Sequence, residues 1–178
     1  MRKIGNDIVE EGIDIKLTNK ERKTVRGVII KNNEVYMLYS KLFDDFTFPG
    51  GGIKDDEDFK EALRRELYEE TGAKEIEIIK AIGYVVEYRH GINSSKNIYK
   101  QTSYYYLVNV LKYDEPKYVG REKDQGLKMK WVNINDAINH NKKVNNKRNK
   151  ETNKGFETVL IRENKVLKYL RGEDNEKI

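Results

Sequence analysis

The chain has 178 residues and a formal net charge of +5, with 37% hydrophobic and 37% charged residues, so it is polar but long enough for one domain with a sizeable core. It contains no cysteine, which excludes a disulfide framework and a thiolate metal site and suits a reducing compartment. The first seventeen residues contain no continuous apolar segment, which argues against a signal peptide or a membrane anchor. The composition therefore predicts a cytoplasmic protein without a membrane partner.

Residues 1–23 are predicted to be an N-terminal extension, in which Ile13, Ile15 and Leu17 alternate like a short strand. Such an extension could add a strand to a neighbouring subunit, so the sequence leaves a homodimer open. The positive charges along the chain are mostly interleaved with acids. They would attract a polyanionic nucleotide, and binding of nucleic acid is not expected, although the sequence does not exclude it.

The next segments, residues 25–30 and 34–39, are rich in β-branched and aromatic residues and are predicted to form two strands. Asn32 and Asn33 lie between them. Because asparagine tolerates a positive φ, this dipeptide favours a tight hairpin turn.

A loop containing Phe48-Pro49 and three glycines (residues 50–52) leads to a predicted helix. Asp55 or Asp56 is predicted to cap its N-terminus, and the acidic run at residues 55–58 would complement the helix dipole in the first turn. Gly72 is predicted to adopt the left-handed conformation that ends the helix.

The placement of acids on this helix is unusual. At about 100° per residue, Glu66 and Glu70 fall roughly 20° either side of the apolar Phe59, and Glu69 lies about 80° away beside Glu66. Acids near a packed face need a compensating cation, and a hard divalent ion with oxygen ligands would provide it. The alternative is an ordinary acidic helix with solvated side chains.

Beyond the helix, residues 76–88 and 98–111 are long β-branched and aromatic segments that are predicted to pair as a hairpin. The turn-like residues 90–95 connect them. Residues 127–132 are predicted to form one more strand.

At the end of the chain, Asn135 is predicted to cap a short helix that ends near residue 139, and the basic residues 141–154 are predicted to be a solvated linker. A C-terminal amphipathic helix is indicated by apolar residues at helical spacing, namely Phe156, Val159, Leu160, Val166, Leu167 and Leu170. The predicted organisation is a domain at 24–140, followed by the linker and a helix (141–178) that packs on the same domain. The fold class is α/β, with a mixed sheet between helices.

The stretch from Gly51 to Ala73, GGIKDDEDFKEALRRELYEETGA, matches the pattern G-x5-E-x7-R-E-U-x-E-E-x-G-U. This pattern resembles the defining motif of the Nudix family, hydrolases that cleave nucleoside diphosphates linked to another group. Ala73 departs from it, because a larger aliphatic residue is usual there. The resemblance covers about residues 24–140 and implies an α/β/α sandwich. The matching residues are Gly51, Glu57, Arg65, Glu66, Leu67, Glu69, Glu70 and Gly72.

The resemblance also implies a metal site for Mg2+, with Mn2+ as an alternative. Glu66 and Glu70 would ligate the main ion, Glu69 would assist at a second ion, and the Gly50 carbonyl would supply a further oxygen. Two further roles follow. Arg65 would pair with a nearby glutamate, and Glu57 would support the junction between loop and helix or bind a metal through water.

The resemblance leaves the general base open between a helical glutamate and one from a later loop. Glu66 is the helical candidate. Glu122 is the loop candidate, because Gly120-Arg121-Glu122 precedes the Trp131 strand, and Glu115 and Asp124 are its rivals.

The residues that select the substrate lie outside the motif. Arg26, Arg89 and His90 are candidates for binding phosphate. Tyr88 lies at the position where dinucleoside polyphosphate hydrolases carry a tyrosine. We expect hydrolysis of a nucleoside triphosphate, a nucleotide sugar or a dinucleotide polyphosphate. The alternatives are removal of pyrophosphate from RNA 5′ ends and a non-catalytic module that senses a nucleotide.

Overall fold

A computed structural model describes residues 1–92, 95–114, 126–149 and 154–172. Within these ranges the strands are β1 (Ile8–Val9), β2 (Lys20–Val28), β3 (Ile30–Lys31), β4 (Glu34–Ser40), β5 (Asp45–Thr47), β6 (Ala73–His90), β7 (Ile98–Tyr113) and β8 (Leu127–Asn133). The helices are α1 (Phe59–Thr71), α2 (Ile134–Lys147) and α3 (Glu157–Leu170), and a short 3-10 helix spans Ile15–Leu17.

The strands form two sheets. The first has the order β1-β6-β7-β2, in which β6 and β7 are antiparallel and both outer strands run parallel to their neighbours. The second is antiparallel, with β3 and β5 beside β4 and with β8 also paired to β4. The predicted long hairpin of residues 76–88 and 98–111 is confirmed as β6 and β7, and the strand at 127–132 is confirmed as β8.

The chain changes sheets at Ile29. Residues 25–28 pair with β7 in the first sheet, whereas residues 30–31 form the hairpin with β4 in the second. The predicted hairpin is therefore confirmed only at its tip, where Asn32 has a φ of 56°. Periodicity could not reveal the change of sheet, because the strand residues are apolar on both sides of it.

Helices cover both faces of the first sheet. On one face, Leu63 and Leu67 of α1 are fully buried against Val25 of β2. Val28 of β2 points to the other face, where it packs in one cluster with α2, α3 and the second sheet, including the buried Leu167 of α3. This arrangement is the predicted α/β/α sandwich with a mixed sheet. No helix in the described ranges has the length and apolar composition needed to cross a membrane.

The N-terminal extension contributes a strand, but not where the alternation predicted one. The prediction of a strand around residues 13–17 is wrong, because the Asp14 side chain accepts a hydrogen bond from the Lys16 N–H (3.0 Å) and starts the 3-10 helix. Ile15 and Leu17 are exposed there. The strand is β1, which begins five residues before the predicted one and pairs with β6 of the same chain.

The start of α1 also differs from the prediction, whereas its end does not. The N-cap is Asp58, not Asp55 or Asp56, so the acids before it lie outside the first turn. Asp58 accepts from the N–H of Glu61 (2.8 Å), and the Glu61 side chain accepts from the N–H of Asp58 (2.9 Å), which is a capping box. Gly72 ends the helix in the left-handed conformation with a φ of 73°, as predicted.

The helix α2 is longer than predicted. Its N-cap is Asn133, not Asn135, and it runs to Lys147, so the prediction of a linker is wrong for residues 141–147. The reason is Asn141, which is fully buried and bonds both the N–H and the carbonyl of Phe46 in β5 (2.9 and 2.8 Å). The C-terminal amphipathic helix is confirmed as α3.

Candidate functional site

The glycine loop runs along the edge of β2. Gly27 N–H donates to the Pro49 carbonyl and Val25 N–H donates to the Gly51 carbonyl, each at 2.9 Å. Gly50, between these two bonds, has a φ of 136°, and a Cβ on it would collide with the Val25 carbonyl oxygen. Only glycine fits there. Among the described residues, no backbone amide bonds to the Gly50 carbonyl.

Two carboxylates of helix α1 contact this loop. Glu70 is 9% exposed, and its Oε2 accepts from the Gly50 N–H at 2.6 Å. The Glu66 side chain is 12% exposed and lies so close to Gly51 that a Cβ there would collide with its carboxylate. The glycines therefore allow the acids of α1 to touch the backbone of the loop.

Arg65 organises the acids on the margin of this site. Its Nε and Nη2 donate to Glu57 and its Nη1 donates to Glu66 (2.7 Å) and Glu69 (3.3 Å). Its Nη2 also donates to the Gly52 carbonyl at 3.0 Å. The guanidinium thus holds three glutamates and the loop in one arrangement.

This pairing shifts the pKa of both partners. The hydrogen bond from Arg65 lowers the pKa of Glu57 to about 2, and a further bond from the Lys54 N–H contributes to this. In return, the hydrogen bond to Glu57, with a smaller contribution from Glu66, raises the pKa of Arg65 above its usual value. Glu57 therefore joins the loop to the helix as an ionised carboxylate.

The three carboxylates predicted to bind metal do not all meet. Glu66 and Glu70 line the same cavity as the glycine loop, whereas Glu69 is bonded to Arg65 at the rim with 37% of its side chain exposed. Among the described residues, no three acidic or histidine side chains converge to form a metal site. Two carboxylates and the Gly50 carbonyl still fit Mg2+, which proteins commonly bind through one or two carboxylates together with water and substrate phosphate.

The cavity between the two sheets, of about 430 Å³, is also lined by arginines. Arg26 donates to the Phe48 carbonyl (2.9 Å), and its Nε is buried with no partner among the described residues. Arg89 is held by Gln101 (3.4 Å). These two predicted phosphate-binding residues therefore lie in the cavity with Glu66 and Glu70.

Arg22 is a cavity residue that the sequence reasoning missed. Loss of hydration, and then the neighbouring guanidinium groups of Arg26 and Arg89, lower its pKa. No carboxylate within the described ranges forms an ion pair with it. The sequence could have indicated that Arg22 lies beside Arg26, because the two residues are four apart on β2 and therefore share one face of the strand.

The remaining predicted residues lie elsewhere. Tyr88 is on the opposite face of β6 from Arg89 and lines a separate depression near Lys100. His90 is also outside the cavity, with its Nε2 3.4 Å from the Glu11 carbonyl. Glu122 and its rivals Glu115 and Asp124 lie outside the described residues.

The cavity has an apolar part that no prediction identified. Phe43 and Phe156 stack there with ring centroids 5.9 Å apart. By contrast, Tyr84 and Tyr104 pack against each other, and Tyr104 also packs against Phe59 of α1. The cavity thus combines an acidic and cationic region with an aromatic one.

A buried charge cluster forms the floor of the cavity, and it too was missed. Arg162 of α3 donates to Glu87 (3.0 Å) and to Glu163 (2.6 and 2.9 Å), and all three side chains are at most 2% exposed. Burial favours the neutral form of Arg162, but the carboxylates of Glu87 and Glu163 raise its pKa well above the usual value. Glu163 also accepts from the Phe48 N–H at 2.9 Å, so this cluster reaches the glycine loop.

Comparison with known proteins shows similarity over most of the chain. The family model described as the NUDIX domain matches residues 20–154. An RNA pyrophosphohydrolase of Bartonella bacilliformis is 38% identical over 73 residues, which are 40% of this chain and 41% of that protein. An 8-oxo-dGTP diphosphatase of Buchnera aphidicola is 28% identical over 122 residues, which are 66% of this chain and 81% of that protein. A solved structure of a NUDIX hydrolase from Nitrosomonas europaea is 19% identical, with a TM-score of 0.48 over 66% of this chain and 75% of that one. The chain thus spans less than half the length of the Bartonella relative.

Proposed function

This chain belongs to the NUDIX family, and we propose that it hydrolyses a pyrophosphate bond in a nucleoside diphosphate linked to another moiety. One observation carries the proposal. Glu66 and Glu70, which can hold a divalent cation, share a cavity with Arg22 and Arg26, which can bind phosphate oxygens. A diphosphate with its metal ion needs both kinds of group side by side.

Glu66, Glu70 and the Gly50 carbonyl would hold Mg2+ or Mn2+, which neutralises charge on the phosphoryl oxygens when bound. Arg65 keeps Glu66 in position through the bond from its Nη1. Arg26 contributes a buried Nε that no described residue satisfies and that a phosphate oxygen would satisfy.

We propose that a carboxylate removes the proton from the attacking water. In Glu66, Oε1 accepts from Arg65, and within the described residues Oε2 has no hydrogen-bond donor, so Oε2 is the atom that can accept the proton. Glu122 is the alternative base. Turnover by Glu66→Gln and Glu122→Gln separates them, and wild-type turnover in both variants would exclude both assignments.

The substrate is proposed to be a free nucleotide or nucleotide derivative, with the base against Phe43 and Phe156. RNA 5′ ends are the second candidate, because relatives such as the Bartonella protein are named RNA pyrophosphohydrolases. A non-catalytic sensor is less well supported, because the chain keeps every acid of the family pattern.

The test is incubation with Mg2+ and a panel of substrates, namely nucleoside triphosphates, nucleotide sugars, dinucleotide polyphosphates and 5′-triphosphorylated RNA. Products are separated by ion-exchange chromatography, and Glu70→Gln serves as the inactive control. Cleavage of the small substrates alone supports the first candidate, and cleavage of the RNA alone supports the second. Binding of a nucleotide without any product would contradict the proposal and favour the sensor.

A further inference from the structure

The C-terminal helix α3 reaches the glycine loop through one side chain, that of Glu163. The two carboxylate oxygens of Glu163 have different partners. Oε2 accepts from the Phe48 N–H at 2.9 Å, and Oε1 accepts from Nε and Nη2 of Arg162 at 2.9 and 2.6 Å. Arg162 is in turn held by Glu87 of β6. Phe48 is therefore tied to the first sheet through two side chains of α3.

Phe48 is the first residue of the segment that forms the proposed metal site. It is fully buried, and its carbonyl accepts from Arg26. Two residues later, the Gly50 N–H donates to Glu70, and the Gly50 carbonyl is one of the proposed ligands. A shift of Phe48 would move both of these groups, because the backbone of residues 48–50 is continuous and Gly50 is held in a conformation with a φ of 136°.

Glu163 is a charged residue at a position of α3 where the sequence pattern favours an apolar one. Within α3, Glu163 falls at helical spacing between the buried Leu160 and Leu167, on the face that packs into the core. An apolar residue would pack there at lower cost, because a buried carboxylate must be fully compensated by its partners. The helix α3 also lies beyond residue 154, where the match to the family model ends.

We propose that Glu163 is a positioning residue for the active site, acting from α3 by fixing Phe48 and through it the Gly50–Glu70 contact. This inference rests on the proposed function, because it concerns the metal site of that function. It predicts that a helix outside the matched family domain determines how tightly the site binds a divalent ion.

The substitution Glu163→Gln tests the hydrogen bonds of Glu163 specifically, because it preserves the shape of the side chain. Both carboxylate oxygens accept hydrogen bonds from N–H donors, whereas a glutamine amide offers one acceptor and one NH2 group. The single amide oxygen should stay with the charged Arg162, whose Nε and Nη2 both donate to the same atom, so the variant loses the bond to Phe48. Leu167→Ala is the matched control, since Leu167 is also fully buried in α3 but does not contact the loop through a hydrogen bond.

The experiment measures Mn2+ affinity by electron paramagnetic resonance, without substrate, for the wild type and both variants. Circular dichroism and thermal unfolding report the fold in parallel. Outer-shell partners of metal ligands typically change metal affinity by about 10- to 100-fold. We expect Glu163→Gln to weaken Mn2+ binding by about this factor and Leu167→Ala to lower the melting temperature with wild-type Mn2+ affinity.

Wild-type Mn2+ affinity in a folded Glu163→Gln variant would overturn the inference and leave the proposed function intact. Equal weakening in both variants would also overturn it, because the effect would then be general destabilisation. If the wild type binds no Mn2+, the proposed function itself fails and the inference fails with it.

If Glu163→Gln does not fold, amide hydrogen exchange on the wild type decides. Protection of the Phe48 N–H equal to that of the core amides of β2 supports the inference, and exchange at the rate of an open loop overturns it.

Discussion

Two regions of the molecule place glutamates around one arginine, and they differ in charge balance and in burial. At the glycine loop, Arg65 faces Glu57, Glu66 and Glu69, with Glu70 beside them, and the arginine side chain is 19% exposed. On the cavity floor, Arg162 faces Glu87 and Glu163 at 2% exposure or less. Arg89 lies 3.7 Å from Glu87 and brings that cluster to two cations and two anions.

The difference indicates which region binds a cation. The floor cluster is neutral as a whole, which is the condition for keeping charges inside a protein. The cluster at the loop has four carboxylates and one guanidinium, so it carries an excess of negative charge that a divalent ion would compensate. We infer that the unbalanced cluster performs the chemistry, whereas the balanced one maintains the fold and, through Glu163, positions the glycine loop.

The largest effect on stability is expected from Arg162→Met. Removal of the guanidinium leaves the buried Glu163 without its cation and leaves Glu87 with only Arg89 at 3.7 Å, and breaking a buried ion pair costs about 3–5 kcal/mol. The free energy of unfolding from urea denaturation should fall by this amount. Arg64→Met is the control, since Arg64 is exposed on α1, and it should change that free energy by less than about 0.5 kcal/mol. Equal stability of the two variants would remove the distinction between the clusters.

For Glu70→Gln we expect a large loss of activity with little loss of stability. Loss of a metal ligand removes several kcal/mol of transition-state stabilisation, which corresponds to about a 10³-fold fall in kcat/KM. Stability should be retained, because the substitution reduces the excess negative charge of its cluster. Steady-state kinetics with the preferred substrate measures the first effect and urea denaturation the second. Glu75→Gln, at an exposed position of β6, should match the wild type in both. A large loss of stability with preserved activity would contradict the assignment of roles.

The two clusters were not equally predictable from the sequence. The acids of α1 could be located, because their spacing follows the family pattern and Gly72 marks the end of the helix. The cap could not be fixed, since Asp55, Asp56 and Asp58 all have side chains that can cap, and only the folded loop selects Asp58.

The floor cluster depends on contacts between distant segments. Glu87 and Arg162 are 75 residues apart. The residues next to each of them in the sequence do not distinguish a buried charged side chain from a solvent-exposed one. A weak signal existed for Glu163, since it falls on the apolar face of a predicted helix. The burial of Asn141 was hidden in the same way, because it lies in a basic run and is explained only by its bonds to Phe46.

A smaller effect is expected from Arg22→Gln. A charge-assisted hydrogen bond to phosphate contributes about 1.5–3 kcal/mol, and about a tenfold rise in KM is expected for a side chain that remains in contact with solvent. The value of kcat should change little if Arg22 binds substrate and transition state alike. Lys23→Gln is the matched control, because it removes the same charge from the next residue of β2, which points to the opposite face. Similar KM values for the two variants would show that only net charge matters.

The smallest effect on stability is expected at Glu57, where the consequence is a change in titration. The hydrogen bond from Arg65 lowers the pKa of Glu57 to about 2 from 4.5. A lowered folded-state pKa stabilises the protein above about pH 4.5, and this contribution is lost as the pH falls toward 2. The contribution is modest, because solvent screens a pair at the surface. Carbon-13 NMR of the Glu57 carboxyl should show a midpoint near pH 2 in the metal-free wild type and a higher midpoint, closer to 4.5, in Arg65→Gln. A wild-type midpoint at 4.5 would mean that Arg65 does not hold Glu57 in solution, and the acids at the loop would then lack the fixed arrangement that separates them from an ordinary solvated helix.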